Sequence, residues 1–315
     1  MKANKDHKLK HIFGPVASRR LGISLGIDLI PYKTCSFDCI YCESGKTSRK
    51  TIERKDYISS ENIIDELKLY LNKSSVTPDY ITLGGSGEPA LNSQIGDIIK
   101  EIKNLTSIPI AILTNGSLLF MDQVKESLLK ADLILPSLDA ATKEIFQSVN
   151  RPHSSLNIKE IVRGLIDFKK IFFGKIWLEI LFCQGINDSI NEVEKIRDAI
   201  DRINPDKIHL NTVARPPADV SARSVSEEQL KIIKELLGEK AEIVTEFSPV
   251  IVSKPQPEDE NRILNLLKRR PCTLKGISQA LGIHQNELAK GMDKLKKEGK
   301  VQYQIYNQQG FYQIQ

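Results

Sequence analysis

The stretch Cys35-Ser36-Phe37-Asp38-Cys39-Ile40-Tyr41-Cys42 decides how the rest of this 315-residue chain is read. Three cysteines fall within eight residues, spaced C-x3-C-x2-C. Cys35, Cys39 and Cys42 supply three thiolates, one short of the four-cysteine shell of an ordinary [4Fe–4S] cluster or a four-cysteine zinc site. A four-iron cluster held here leaves one iron open to an outside ligand, which suits chemistry rather than electron carriage alone. A three-cysteine zinc site completed by a distant histidine is the alternative. Phe37 and Ile40 are placed to shield a cluster from solvent, which tunes its potential.

Upstream, the first ~20 residues read as polar and basic. They lead into Gly14-Pro15-Val16-Ala17-Ser18-Arg19-Arg20-Leu21-Gly22. Arg19 and Arg20 are suited to face a phosphate or a carboxylate, or are a solvated loop. Residues 23–30 read as a strand that Pro31 ends, so the cysteine loop sits at the C-terminal end of a strand. That is where α/β sheets and barrels place their chemistry.

Downstream, strands are expected over 80–83, 108–113, 133–135, 175–182 and 207–210. Helices are expected over 60–71, 95–105, 121–130, 141–148, 158–168 and 189–200. The alternation argues a parallel sheet with covering helices. Counting six units points to an open partial (β/α)6 barrel; periodicity alone does not separate that from a doubly wound sheet. After Pro216-Pro217 a helix over 226–237 and a short strand at 243–244 follow, and Lys254-Pro255-Gln256-Pro257 reads as a linker. Beyond it the rhythm changes to helices over 258–268, 274–281 and 284–297 and strands over 301–305 and 310–314. Three helices and a hairpin, with Gly282 between the second and third helices, resemble a winged helix-turn-helix. Two domains are therefore expected, 1–250 and 251–315.

Composition excludes several classes. A 40% apolar share is enough for a buried core, and no apolar run reaches ~18 residues, so no membrane-spanning helix is expected. The N-terminus lacks the apolar core of a signal peptide, and a cytoplasmic location is expected. Five cysteines, three of them clustered, do not make a disulfide framework, and Cys183 and Cys272 read as buried small apolar residues. The net charge of +5 gathers in the tail, where ten Lys/Arg stand against six Asp/Glu from Pro255 onward. Lys290, Lys294 and Lys297 share one face of the third tail helix, which suits phosphates, protein docking or a solvated surface. Arg is absent from that helix, which argues against sequence-specific DNA reading.

Beside the cysteine loop, Gly84-Gly85-Ser86-Gly87-Glu88-Pro89 follows the next strand. Glycines there free the backbone to approach a ligand. Together these features resemble the radical S-adenosylmethionine (SAM) superfamily over about 23–213, and Tyr41 before the last cysteine fits the same pattern. The resemblance implies one [4Fe–4S] cluster on Cys35, Cys39 and Cys42, with SAM chelating the open iron. It implies that Gly84, Gly85, Ser86, Gly87 and Glu88 bind the methionine amino group and that Ser137 and Asp139 meet the ribose or carboxylate. Asn115, Asn211, Glu179 and Arg215 are further polar residues in or near strand ends, where helix capping or turn closure is the plainer role. No catalytic side chain is singled out.

The implied chemistry is reductive cleavage of SAM to methionine and a 5′-deoxyadenosyl radical that abstracts hydrogen from a substrate. An electron donor such as flavodoxin or ferredoxin goes with it. Residues 14–22, Gly26-Ile27-Asp28 and Leu210-Asn211-Thr212-Val213-Ala214-Arg215-Pro216-Pro217 look like the group related to wyosine-synthesising tRNA enzymes. No cysteine precedes Cys35, so the second cluster those tRNA enzymes use is missing. A tRNA or a protein, met through the winged helix, is the expected substrate class. The alternative is a redox- or SAM-sensing regulator whose winged helix binds DNA.

Overall fold

Alternation of side chains along the strands separates the two faces of the sheet on which this chain is built. The structure is a computed structural model and describes residues 9–74, 76–244 and 259–315. β1 (Ile12–Ser18) and β2 (Gly22–Ile27) form an antiparallel hairpin, and the two-residue strands β3 (Thr34–Cys35) and β4 (Arg49–Lys50) pair in parallel around the cysteine loop. β5 (Tyr80–Leu83), β6 (Ile110–Thr114), β7 (Leu133–Pro136), β8 (Lys175–Phe182), β9 (Lys207–Thr212) and β10 (Ala241–Ile243) follow. The main sheet runs β1-β2-β5-β6-β7-β8-β9-β10, and every neighbouring pair from β2 to β10 is parallel. Helices α1 (Ser60–Lys73), α2 (Ile95–Leu105), α3 (Asp122–Leu128), α4 (Lys143–Val149), α5 (Ile158–Ile171), α6 (Ile190–Ile203) and α7 (Glu227–Leu237) fill the crossovers. The result is an α/β fold with a mostly parallel sheet, and its six central parallel strands are those the sequence predicts.

The helices start where short polar side chains close them: Ser59, Asn157, Ser189 and Ser226 each accept a hydrogen bond from an N–H of the first turn. One sheet face carries Leu25, Ile27, Ile81, Leu83, Ile112, Ile134, Ile176, Leu178 and Ile180 into a single core with helix residues such as Ile63, Leu67, Ile99, Leu165 and Ile196. The period of two sends their neighbours to the other face. There Leu21, Ala111, Leu133 and Leu135 form a small second cluster with Leu113 and Trp177. The polar or small residues Ser24, Gly26, Thr82, Ser137 and Glu179 on that side line a cavity.

β1 corrects the expectation of a polar, irregular start. Gly14-Pro15 interrupts its apolar alternation, and the register shifts between Phe13 and Val16. Such a bulge is tolerated because β1 ends the sheet order, where a proline without an N–H breaks no central ladder. The Arg19-Arg20 turn that joins β1 to β2 is thereby fixed beside the sheet.

The C-terminal unit comprises α8 (Asp259–Leu267), α9 (Leu274–Leu281), α10 (Gln285–Lys297) and an antiparallel hairpin of β11 (Val301–Tyr306) and β12 (Gln309–Ile314). It has its own core, including Ile263, Leu266, Leu281, Leu288, Met292 and Leu295. Thr273 caps α9, and Gly282 closes it in the left-handed conformation at φ 68°. α8 and α9 pack against β1, and Val16 joins the C-terminal core. The expected boundary at 250/251 and the linker at 254–257 lie outside the described residues.

The basic face of α10 is neutralised in part. Lys290 pairs with Glu287, Lys294 with Glu260 and Glu298, and Lys300 with both Glu260 and Glu298. Among the described residues, no helix is long and apolar enough to cross a membrane.

Candidate active site

The cysteine loop leaves β2, turns at Lys33 and closes against the next two strand ends. Each cysteine sulfur meets one N–H donor. Lys33 Nζ lies 3.1 Å from Cys42 Sγ, Asn115 Nδ2 is 3.5 Å from Cys35 Sγ, and Asn150 Nδ2 is 3.4 Å from Cys39 Sγ. Burial pushes the Cys35 thiol up to about 12 and Cys39 well up; nearby Glu88 and Asp139 respectively add to the effect. Bare thiolates at Cys35 and Cys39 are therefore disfavoured, and a metal that replaces their protons relieves the penalty. Among the described residues no three His, Cys, Asp or Glu side chains close around a single ion. The three N–H donors suit the sulfurs of a cluster held by these cysteines. Phe37 and Ile40 are buried in the main core beside the loop.

The glycine turn after β5 is shaped from both sides. Gly84 and Gly85 take φ of 151° and 149°, which glycine adopts without strain. A side chain on Gly85 would collide with Asp28, and one on Gly87 with the Thr34 carbonyl oxygen. Asp28 at the end of β2 accepts the Ser86 N–H at 2.7 Å and the Ser86 hydroxyl at 3.1 Å. Glu88 accepts from the Thr114 hydroxyl (2.6 Å), the Asn115 N–H (2.7 Å) and the Ala90 N–H (3.0 Å). It is 1% exposed, and burial outweighs these three donors to raise its carboxyl to about 6.

The structure thus separates the expected cofactor residues into two groups. Gly84, Gly85, Gly87, Asn115 and Ser137 line a cavity of about 350 Å³. Ser86, Glu88, Asp139 and Asn211 lie outside its lining and are engaged elsewhere. The Asp139 carboxylate accepts from Tyr41 Oη (2.5 Å), Asn150 Nδ2 (2.7 Å) and the Leu181 N–H (2.9 Å), so it ties the cysteine loop to β8. Asn211 donates to Glu179 at 2.8 Å.

Sequence reasoning left out three contributors. Lys33 and Asn150 reach the cysteine sulfurs, and neither stands in a motif of its own. The third is the C-terminal unit, whose Leu266, Arg269 and Arg270 line the same cavity as the glycine turn. Arg269 Nη2 lies 2.5 Å from Asp28 Oδ2, its guanidinium stacks 3.6 Å from the Phe13 ring centroid, and its carbonyl accepts from Ser44 Oγ at 2.7 Å. Arg20 pairs with Glu179 inside the sheet, and Arg215 pairs with Glu43 at 2.6 Å. Burial alone would raise the Glu43 carboxyl, but the Arg215, Arg270 and Arg19 guanidiniums hold it down at about 2.

Known proteins match this arrangement. The chain is 38% identical over 304 residues to a Brachyspira hyodysenteriae protein named GTPase Obg, which covers 95% of this chain and 44% of that protein. It therefore spans less than half of that relative's length. It is 33% identical over 304 residues to the UPF0026 protein MJ1312 of Methanocaldococcus jannaschii, covering 92% of this chain and 94% of that one. Among solved structures, a radical SAM methyltransferase from Sphaerobacter thermophilus superposes with a TM-score of 0.56 at 16% identity, covering 70% of this chain and 65% of that one. That likeness is one of fold. The family model of the radical SAM superfamily matches residues 29–200, more than half of the chain. The chain therefore belongs to the radical SAM superfamily, enzymes whose cofactors are a [4Fe–4S] cluster and S-adenosylmethionine.

Proposed function

We propose that the cavity between the cysteine loop, the glycine turn and the C-terminal unit is where this enzyme cleaves SAM and acts on its substrate. The observation that carries this reading is convergence. Cys35, Cys39 and Cys42, the Gly84–Gly87 turn, Asn115 and Ser137 all come from the C-terminal ends of adjacent parallel strands and their loops. When bound, the cluster and SAM supply reductive cleavage to methionine and a 5′-deoxyadenosyl radical that abstracts hydrogen from substrate. Cys35, Cys39 and Cys42 would hold the cluster, while Lys33, Asn115 and Asn150 stabilise charge on its sulfur ligands. The backbone of Gly84, Gly85 and Gly87 would bind the methionine amino group, held in place from behind by Asp28 and Glu88. Asn115 and Ser137 offer polar groups to the rest of SAM.

The open sheet, with β10 not returning to β1, supports a partial barrel around that cavity. The three helices and hairpin of the C-terminal unit, with the Cys272 backbone paired to Tyr312 at 2.9 and 2.8 Å, support a winged helix-turn-helix. Its α8 and α9 are applied to β1, and Lys290 and Lys294 of α10 are paired with carboxylates, which favours a wall of the active site over a DNA-reading module. Residues 14–22 and 210–217, two of the segments that resemble the wyosine-related group, are linked there through Arg20–Glu179–Asn211. A tRNA or protein substrate fits that resemblance, with electrons from a flavodoxin- or ferredoxin-type donor.

The test is anaerobic. The cluster is reconstituted, SAM and a strong reductant are added, and 5′-deoxyadenosine is measured for wild type and Cys39→Ala. Cleavage that depends on Cys39 is expected; cleavage that survives the substitution would sink the proposal.

A further inference from the structure

Charge is unbalanced in the cavity. Arg20 is paired with Glu179, Arg215 with Glu43 and Arg269 with Asp28. Arg19 and Arg270 line the same cavity, and among the described residues neither forms an ion pair with a carboxylate. Both are half-buried, and both lie near Arg215, so each guanidinium faces like charge in an environment poorer in water than the surface. Burial and then the nearby Arg215 hold Arg19 down at about 10, and the same two causes lower Arg270. These two positive forks, beside apolar Val16 and Leu266, share the Glu43 carboxylate with Arg215, so three guanidiniums face one carboxylate. Attraction to an incoming anion is stronger there than in bulk water, and guanidinium geometry matches phosphate and carboxylate oxygens.

We propose that Arg19 and Arg270 together hold an anionic group of the substrate, a phosphate or a carboxylate, and that docking of the C-terminal unit completes this subsite. The inference rests on the reading of the cavity as the place of catalysis. Arg19 comes from the β1–β2 turn, and Arg270 follows α8, so neither element alone brings the two together. Arg269 sets the placement: its pairing with Asp28, its stacking on Phe13 and the Ser44 contact to its carbonyl fix the chain one residue before Arg270. Asp28 also holds Ser86, so one carboxylate joins the glycine turn to the unit that carries Arg270. The glycine turn, Asn115 and Ser137 lie on β5 to β7, leaving the arginine side of the cavity for a second ligand. The carboxylate of SAM is the rival occupant.

The test uses the full chain as purified, titrated by calorimetry with inorganic pyrophosphate and, separately, with malonate. Saturable binding of one probe per chain is expected. Preference for pyrophosphate assigns a phosphate group, and preference for malonate assigns a carboxylate. Arg19→Gln and Arg270→Gln should each weaken binding at least about tenfold, the scale of one charge-assisted hydrogen bond. Lys297→Gln, on exposed α10, should leave it unchanged. SAM affinity of the reconstituted protein should stay within about threefold in both arginine variants. If Arg270→Gln fails to fold, Arg270→Lys decides: a loss of at least about threefold is expected from the missing fork, and no loss overturns the proposal. It is also overturned if neither probe binds wild type or if binding survives both glutamine substitutions. A fall in SAM affinity matching the loss of probe binding would assign the arginines to SAM instead. None of these titrations requires turnover, so failure of the Cys39-dependent cleavage would be recognised separately.

Discussion

Glu88→Gln isolates the buried carboxylate behind the glycine turn. Glu88 is 1% exposed, and its carboxyl is raised from 4.5 to about 6 because burial outweighs its three donors. A folded value above the unfolded one means that the native state favours the protonated form. The associated stability is fully present below about pH 4.5 and is lost as pH rises through about 6. At about 1.4 kcal/mol per unit, the loss is about 2 kcal/mol. Glutamine does not titrate, so the wild type should lose about 2 kcal/mol relative to the variant between pH 4.5 and 7. A second contribution is independent of pH. The Ala90 N–H points at one carboxylate oxygen and the Asn115 N–H at the other, so either orientation of a glutamine amide sets its NH2 against a backbone donor. That mismatch costs about 1–3 kcal/mol. Glu88→Gln should therefore be clearly less stable near pH 5 and close to wild type near pH 7.5. Urea unfolding of both proteins without cluster, at several pH values, measures the difference directly. A difference that is flat with pH, or in which the wild type gains as pH rises, would refute the reasoning. It would mean that the three donors outweigh burial and stabilise the carboxylate.

Other substitutions probe separate links. Gly87→Ala drives a methyl group into the Thr34 carbonyl; overpacking of that kind costs about 1–3 kcal/mol, and SAM affinity should fall at least about tenfold in equilibrium binding. Lys33→Met removes the ammonium beside Cys42, so the reduced, more negative cluster loses stabilisation; its potential should move negative by on the order of 60 mV in a spectroscopic redox titration, a tenfold step for one electron. An unchanged or more positive potential would contradict that contact. Arg269→Ala leaves Asp28 without its guanidinium in a pair whose side chains are only 13% and 10% exposed; a loss of about 3 kcal/mol is expected in urea unfolding, together with weaker SAM binding.

The parallel strands were legible because each is a short apolar run bounded by turn residues, and the cysteine and glycine motifs were legible because spacing alone defines them. β1 was not, since Gly14-Pro15 breaks its alternation and only edge placement makes that tolerable. Asp139 looked like a cofactor contact because it follows a strand end. Whether such a residue faces the cavity depends on partners distant in sequence, here Tyr41, Asn150 and Leu181. Lys33 and Asn150 carried no motif: a lysine before a cysteine and an asparagine ending a helix are ordinary until folding brings them to sulfur.

Charge makes the same point with a functional consequence. Ten basic residues against six acidic ones in the tail suggested a surface for nucleic acid. The fold distributes them differently. Lys290, Lys294 and Lys300 are paired within the C-terminal unit by Glu260, Glu287 and Glu298, so they offer little net field to a phosphate backbone. Arg269 and Arg270 turn toward the main sheet, where Arg269 is neutralised by Asp28 and Arg270 is not paired with a carboxylate. Part of the tail's positive charge therefore lies inside a cavity of about 350 Å³ and not all of it along α10. A surface stripe would steer any polyanion, whereas two forks in a confined space select an anion small enough to enter, or one presented at the end of a chain. If Arg19 and Arg270 hold a substrate anion as proposed, a macromolecular substrate has to offer such a group on an extruded base, a terminus or a flexible side chain.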